Sequence, residues 1–187
     1  ACVAAKNTSG ANISVIDGKN MSVGLGLCIE EVAKIMKESN LSHEQIVIKI
    51  NKIIKNTKVF TAVKDLSYAV KGGRVPKAAK TISNIFNFKP ILSIGEDGSM
   101  KKAGIYFGKK NIPQKLFNMI NKKIDSGVKY NVLIGHANSI EDGEKAKSLF
   151  EEKSDIFKNI RLLEIGGALG VHTGPGAISV AIQKIDD

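Results

Sequence analysis

Apolar residues recur along the chain with two periods, one of two residues and one of three to four. From residue 56 onward, short β-branched and aromatic runs alternate with segments of helical periodicity, which predict strands and amphipathic helices respectively. The predicted strands are residues 59–63, 91–94, 100–107, 131–136, 160–165 and 178–182. This order predicts an α/β fold in which helices cover a mixed six-stranded sheet.

Short local signals place several turns and helix starts. Asp97-Gly98 separates two predicted strands and indicates a β-hairpin. Ser42 and Gln45 have the spacing of a capping box at the start of a helix. We also expect a short strand over residues 12–17 and a helix capped by Ser22. The predicted inward face of that helix consists of Leu25, Cys28, Ile29, Val32, Ile35 and Met36.

The most distinctive stretch is residues 165–177, which is rich in glycine and lies between two predicted strands. It contains His172 and Thr173, so it offers an imidazole and a hydroxyl where backbone can approach a ligand closely. Two interpretations are open at this point. The stretch is either a binding site carried on a rigid sheet or a plain tight connection whose histidine is satisfied by its neighbours.

Arg74 is the second candidate, because it follows two glycines in a chain that has only one other arginine. A guanidinium holds a carboxylate or phosphate by two parallel hydrogen bonds. The alternative is an ordinary surface arginine in a loop. For His136, which ends a predicted strand, packing at the strand end is favoured over a binding role, and His43 is expected to be exposed.

Three groups of motifs resemble the DegV family of bacterial fatty-acid-binding proteins, and they occur in the family's order over nearly the whole chain. The first group is residues 15–17 (Val-Ile-Asp) with 21–26 (Met-Ser-Val-Gly-Leu-Gly). The second is residues 71–75 (Lys-Gly-Gly-Arg-Val) with 77–79 and 89–92. The third is residues 164–166 (Glu-Ile-Gly) with 170–177 (Gly-Val-His-Thr-Gly-Pro-Gly-Ala). Such a run of matches is more specific than any single glycine pattern.

The resemblance implies two α/β domains with a fatty acid between them. Residues 56–187 match the C-terminal domain of the family, and residues 1–55 match only the end of the N-terminal domain. The family's early segment of Thr, Ser and Gly, whose hydroxyls bind the carboxylate, has no counterpart here. The chain is therefore expected to be a fragment that lacks the beginning of the family's N-terminal domain.

The resemblance also implies which residues meet the ligand. At the carboxylate it places Arg74, His172, Thr173, Gly170 and Gly174. Along the acyl tail it places Met21, Leu25, Ile82, Ile85 and Phe86. A bound long-chain fatty acid is the expected ligand, with no cofactor and no catalysis by the chain itself. A separate fatty acid kinase would phosphorylate the carboxylate, and Lys109 and Lys110 stand where family members often carry arginines that are proposed to meet it.

Two other functions remain as alternatives. A small acyl hydrolase or transferase could use His172 as a general base, although no nucleophile stands near any motif. The formal net charge of +10 also allows a basic nucleic-acid-binding module. The lysines are scattered and aromatic residues form only 5% of the chain, so DNA binding is not expected. Peripheral contact with acidic lipid is compatible with the charge.

Composition sets further expectations. No apolar run reaches the length of about 20 residues that a membrane span needs, and the N-terminus has no signal-peptide pattern. Cys2 and Cys28 lack metal-ligand spacing and are expected to be reduced. A cytoplasmic location and the absence of a metal site are expected on these grounds.

Overall fold

The computed structural model describes residues 12–74, 88–108 and 110–185, and the elements below lie in these ranges. The helices are α1 (Ser22–Glu38), α2 (His43–Asn56), α3 (Leu66–Lys71), α4 (Ile112–Asn121), α5 (Ile140–Glu151) and α6 (Gly167–Thr173). The strands are β1 (Thr57–Ala62), β2 (Phe88–Ile94), β3 (Met100–Phe107), β4 (Tyr130–His136), β5 (Phe157–Glu164) and β6 (Ile178–Lys184). The predicted α/β class and six-stranded mixed sheet are confirmed.

The six strands form one sheet in the order β3-β2-β1-β6-β4-β5. The pairing of β4 with β5 is parallel, and the other four pairings are antiparallel. Strand β6 lies in the interior of the sheet and is buried from Ile178 to Gln183. Burial on both faces explains why its sequence is almost continuously apolar rather than alternating.

One face of the sheet is covered by α4 and α5 over an aromatic core. The rings of Phe150 and Phe157 meet edge to face with centroids 4.8 Å apart, and Phe117 meets Phe150 in the same way at 5.0 Å. These rings pack with Val132, Ile134, Val180 and Ile182 from the sheet. Edge-to-face geometry adds about 0.5–1.5 kcal/mol per aromatic pair beyond the burial of apolar area.

Helix α1 covers the opposite face, but with a different side from the predicted one. Val23 and Leu27 pack against Val59, Leu133 and Ala181. Three residues of the predicted inward face are instead exposed: Leu25 by 39%, Ile29 by 58% and Met36 by 60%. Cys28 is buried as predicted, and burial raises the pKa of its thiol.

One glycine helps to explain this rotation of α1. A Cβ on Gly24 would lie 2.9 Å from the Cβ of Val59, which is too close for a real side chain. The helix therefore approaches the sheet at Gly24, where no side chain holds it away. The prediction considered only the spacing of apolar side chains, in which glycine does not count, and it therefore assigned the wrong face of α1 to the sheet.

The start of the described chain also differs from prediction. Residues 12–17 form no strand, and Asp17 Oδ1 instead accepts a hydrogen bond from the Lys19 N–H in a local turn. The N-cap of α1 is Met21 rather than Ser22, and Ser22 adopts a positive φ of 52°. At α2 the predicted capping box is confirmed, since Ser42 Oγ accepts from the Gln45 N–H and Gln45 Oε1 accepts from the Ser42 N–H.

The predicted hairpin between β2 and β3 is confirmed. Asp97 Oδ1 accepts from the Ser99 N–H, and Gly98 has a φ of +77°. Hydrogen bonds from Ser99 and Lys101 lower the pKa of the Asp97 carboxyl to about 2. The hairpin supplies one edge of the sheet. The division of the chain at residues 55 and 56 into parts of two domains stays a prediction.

Tyr106 links the edge strand β3 to the residue that follows β1. Its buried hydroxyl donates to the Val63 carbonyl at 2.6 Å, and burial raises the pKa of the phenol. We expect Tyr106→Phe to lower the free energy of unfolding by about 1–3 kcal/mol, because a buried carbonyl loses its partner. Urea denaturation measures this. Tyr68→Phe, at a more exposed tyrosine, is the control and should change stability by less than about 0.5 kcal/mol; equal effects of the two substitutions would contradict the prediction.

Candidate functional site

The candidate residues gather at one end of the sheet. Strands β1, β4 and β5 end there and β6 begins there, with Ile178 paired to both Ala62 and His136. A small apolar cluster lies just beyond: Val63, Leu66, Ala137, Ile165 and Ala177, with Leu169 packed against it. This cluster holds the short helices α3 and α6 on the sheet, so the two elements that carry the predicted site lie side by side.

The glycine-rich stretch is more regular than predicted. Gly167–Thr173 form helix α6, and a turn follows from Gly174 to Ala177. Gly174 has φ 73° and ψ 165°, and a Cβ there would lie 2.4 Å from the ring of Tyr68. The turn is tied to β4 by the Gly176 N–H, which donates to the Ala137 carbonyl at 2.8 Å. Glycine thus shapes the turn, whereas the histidine is carried on a helix.

His172 lies in the last turn of α6 and faces the turn after α3. A Cβ on Gly72 would lie 2.1 Å from His172 Nδ1, so this contact requires glycine at position 72. The Nδ1 atom is buried and has no hydrogen-bond partner among the described residues. An unpaired buried polar atom is uncommon and costs free energy, so it calls for an explanation. The choice between a binding role and a structural role for His172 therefore stays a prediction.

Arg74 ends the same turn. The Arg74 N–H donates to the Ala69 carbonyl, and Gly73 takes a φ of +72°. The guanidinium is exposed, and its Nη1 donates to the Gly72 carbonyl at 2.6 Å. That is the one hydrogen bond of its guanidinium to the described residues, and a guanidinium has five N–H donors in all. The fold thus brings two motifs that lie about 100 residues apart in the sequence into contact.

The other predicted head-group residues also lie on α6 or next to it. Thr173 is half-buried, and its hydroxyl donates to the Leu169 carbonyl at 3.3 Å. Among the described residues, no atom lies within 4 Å of a Cβ built on Gly170, and the same holds for Gly166 and Gly167. One side of α6 is therefore not covered by the described part of the chain. Gly174 differs from these three because Tyr68 fills the space beside it.

The predicted tail-lining residues are not brought to this place as a group. Met21 is half-buried against the cluster beneath α1, and Leu25 is exposed beside Gly18. Both belong to the start of α1, which packs on β1, β4 and β6. Ile82, Ile85 and Phe86 lie outside the described residues. Lys109 also lies outside them, and Lys110 is exposed.

Two features of the site escaped sequence reasoning. Tyr68 forms the wall against Gly174, but a single tyrosine in a six-residue helix produces no pattern. Gly72 belonged to a matched motif, yet its contact with His172 becomes visible only when both helices are placed.

The other histidines have structural partners. His136 is buried and its Nδ1 accepts from the Ser139 N–H at 3.3 Å, as predicted for a strand end, whereas His43 is half-buried and its Nε2 lies 2.8 Å from Ser14 Oγ.

The described residues contain no group of three or more His, Cys, Asp or Glu side chains arranged to hold a metal ion. Among the described helices, none has the length and apolar character needed to cross a membrane.

The architecture is that of solved DegV-type proteins. A fatty acid binding DegV family protein from Streptococcus agalactiae superposes with a TM-score of 0.83 at 24% identity, covering 99% of this chain and 64% of that one. A DegV family protein from Eubacterium eligens loaded with heptadecanoic acid gives 0.82 at 19% identity, covering 98% and 65%. The Streptococcus pneumoniae Fatty Acid Kinase (Fak) B3 protein loaded with linoleic acid gives 0.78 at 21% identity, covering 94% and 60%.

Sequence comparison establishes the family. A family model described as "Uncharacterised protein, DegV family" matches residues 1–184, and the chain belongs to the DegV family. The DegV domain-containing protein SACOL1460 of Staphylococcus aureus is 32% identical over 181 residues, which cover 93% of this chain and 61% of the relative. The chain thus spans less than two thirds of the length of this relative.

Proposed function

We propose that this chain is part of a fatty-acid carrier, which holds one long-chain fatty acid and presents its carboxylate to a separate kinase. The observation that carries the proposal is the buried, unpartnered Nδ1 of His172 against the turn that ends in Arg74. Fatty acids bound to the solved relatives from E. eligens and S. pneumoniae support this choice of ligand.

The head group of a fatty acid matches the chemistry of the His172 corner, which consists of helix α6 and the turn from Gly72 to Arg74. A carboxylate has two oxygens that accept hydrogen bonds, and a guanidinium donates to both in parallel. The imidazole of His172 supplies a further donor from the adjacent helix. Gly170 leaves space at the surface of α6, so a ligand could approach the backbone there. We assign Arg74, His172, Thr173, Gly170 and Gly174 to the carboxylate end on this basis.

The acyl tail of the fatty acid would be bound by apolar residues. Each CH₂ group that leaves water contributes about 0.8 kcal/mol, so an acyl chain needs a long apolar wall. We assign Met21, Leu25, Ile82, Ile85 and Phe86 to that wall, as the family resemblance implies. The exposure of Leu25 and of Ile29 one helical turn later provides apolar surface on α1 that the described part of the sheet does not cover.

In this proposal the chain itself performs no chemistry. It desolvates the tail and pairs the charged head group, since an unpaired buried charge is costly. Phosphorylation belongs to a separate subunit, in line with the fatty acid kinase name of the S. pneumoniae relative. Lys110, together with Lys109, is assigned to contact with that kinase, as point charges rather than as the bidentate donors that arginines would supply.

Direct analysis of the bound molecule tests the proposal. The full-length protein, of which this chain is proposed to be a part, is purified and extracted with organic solvent, and the extract is analysed by mass spectrometry. The stripped full-length protein is then titrated with oleate by calorimetry. We expect about one fatty acid per chain. No bound fatty acid and no saturable oleate binding would reject the carrier. Turnover of acyl esters that is lost in His172→Ala would favour the hydrolase instead.

His172→Ala separates the binding role from a packing role. We expect affinity for oleate to fall by about 1.5–3 kcal/mol, roughly 10- to 150-fold, because a hydrogen bond to a charged group is lost. The melting temperature should change little, since Nδ1 gives up no partner within the described protein. His43→Ala is the control and should leave oleate binding unchanged. A large drop in melting temperature with normal oleate binding would return His172 to a structural role.

A further inference from the structure

A second concave region lies at the end of the sheet opposite to His172. It is a cavity of about 910 Å³ where β1 begins and β6 ends, bordered by Thr57, Lys58 and Ile182. The end of α2 and the β2–β3 hairpin form its sides. The six residues of β1 separate it from the His172 corner by about 20 Å, at about 3.3 Å per residue.

The rim of this cavity is strongly basic. Five lysines line it, namely Lys19, Lys55, Lys58, Lys101 and Lys123, against one carboxylate, that of Glu96. Lys101 is engaged by Asp97 at 3.1 Å. The nearby Asp125 forms its ion pair with Lys184, which lowers the pKa of the carboxyl. Lys58 also lies close enough to Asp125 to contribute to this lower pKa. With five lysines against one carboxylate, the rim carries an excess of positive charge.

The floor of the cavity is apolar. Phe60 and Ile182 reach it from the sheet and are almost fully buried beneath it. Ile54, Ile94 and Ala103 continue this surface from α2 and from the two hairpin strands. A bare inorganic anion would leave that floor in contact with water. A ligand with both an anionic and an apolar part would cover it.

The walls are fixed by local bonds. Ser99 donates to Asp97 from both its N–H and its hydroxyl, which sets the shape of the hairpin turn. The turn touches the chain before α1, because a Cβ on Gly98 would lie 3.7 Å from Asp17 Oδ2 and 3.8 Å from Lys19 Cγ. Lys19 is therefore held at the rim by packing between two segments. A pre-formed cavity loses less free energy on ordering when a ligand binds.

We propose that this cavity binds a nucleotide-sized organic phosphate with two to four negative charges. Lysine ammonium groups suit phosphates as point charges, and the charge excess of the rim matches such a ligand. The volume falls within the range of about 300–1,000 Å³ that is typical of small-molecule sites. The apolar floor would contact the organic part of the ligand. The site is separate from the fatty-acid corner, so either proposal can fail without the other.

Calorimetric titration in about 50 mM salt tests the proposal with ADP, pyrophosphate and adenosine as probes. We expect ADP to bind more tightly than pyrophosphate, which lacks the organic part, and than adenosine, which lacks phosphate. Failure of ADP to bind at millimolar concentration would overturn the proposal. Equal binding of pyrophosphate and ADP would also overturn it, because it would indicate a purely ionic surface.

Lysine variants test whether ADP binds in this cavity. Lys55→Gln, Lys58→Gln and Lys123→Gln change exposed residues, so each should fold, and each should weaken ADP binding about threefold, with at least tenfold loss for the triple variant. Lys37→Gln, on the exposed side of α1 and outside the cavity, is the matched control and should leave ADP binding unchanged. An equal loss in Lys37→Gln would show unspecific attraction and overturn the assignment. Oleate binding, measured in parallel, should be unaffected in all four single variants.

Discussion

Gly174→Ala is expected to lower the free energy of unfolding by about 3–4 kcal/mol. The backbone at φ 73° and ψ 165° is a conformation that essentially only glycine adopts, at a cost of about 1–3 kcal/mol for other residues. The new Cβ would also lie 2.4 Å from the ring of Tyr68, and overpacking of this kind costs typically 1–3 kcal/mol. Urea denaturation monitored by circular dichroism measures the loss.

Gly170→Ala, within α6, is the matched control for Gly174→Ala at the end of that helix. Its Cβ would meet no atom of the described residues within 4 Å, and alanine is favoured over glycine within a helix by about 0.5–1 kcal/mol. We therefore expect unchanged or higher stability, but weaker oleate binding if ligand approaches α6 at this glycine. A Gly174→Ala protein as stable as the Gly170→Ala protein would contradict the expected role of the turn.

The sheet was predictable because its strands are bounded by strong local signals. Asp97-Gly98 fixes the hairpin through turn chemistry alone, and the capping box fixes the start of α2. Strand β6 contains the apolar run of residues 180–182 and lies in the interior of the sheet. Such elements agree with the fold at the local level, so no long-range information is needed to find them.

Helix α1 shows where local pattern fails. Its predicted inward side is exposed at Ile29 and Met36. The side that packs on the sheet instead carries Val23 and Leu27, with Gly24 lying directly against Val59. Periodicity measures side-chain hydrophobicity, whereas close helix–sheet packing is also achieved by removing side chains. In the same way, Ser22 has the side chain of an N-cap, but the N-cap is Met21, and Ser22 is the first residue of the helix, with a positive φ.

The candidate site was predictable in its residues but not in its arrangement. Family resemblance gives Arg74 and His172, which are far apart in sequence. Their proximity depends on the cluster of Val63, Leu66, Ala137, Ile165 and Ala177, which places α3 beside α6. The environment of His172 Nδ1, which carries the functional proposal, depends on the missing Cβ of Gly72. No residue pattern within one segment contains that information.

The two concave regions differ in the kind of anion they favour. At the His172 corner, a guanidinium on a turn and an imidazole on a short helix lie close together, which suits the planar geometry of a single carboxylate. At the opposite end, several lysines surround an apolar floor without a fixed hydrogen-bonding pattern, which suits a larger and more highly charged group. The proposed phosphate site therefore depends on five of the chain's many lysines, while the carboxylate site depends on one of only two arginines.

Arg74→Ala is expected to weaken binding of oleate by about 2–5 kcal/mol, because the carboxylate would lose its bidentate partner while remaining desolvated. Binding of the matching fatty alcohol, which carries no charge, should change by less than about 1 kcal/mol. Arg74→Lys should give an intermediate loss, since an ammonium keeps the charge but not the planar fork. Calorimetry or displacement of a fluorescent fatty acid measures both ligands.

The remaining arginine provides the control for Arg74. Arg161 is also exposed, but it is paired with Glu30 on the outer side of β5, away from α3 and α6. Arg161→Ala should leave the affinities for the acid and for the alcohol unchanged, since it removes the same charge from elsewhere on the surface. A loss for oleate in Arg161→Ala equal to that in Arg74→Ala would point to long-range charge rather than contact. Equal losses of acid and alcohol in Arg74→Ala would show that this guanidinium does not recognise the carboxylate.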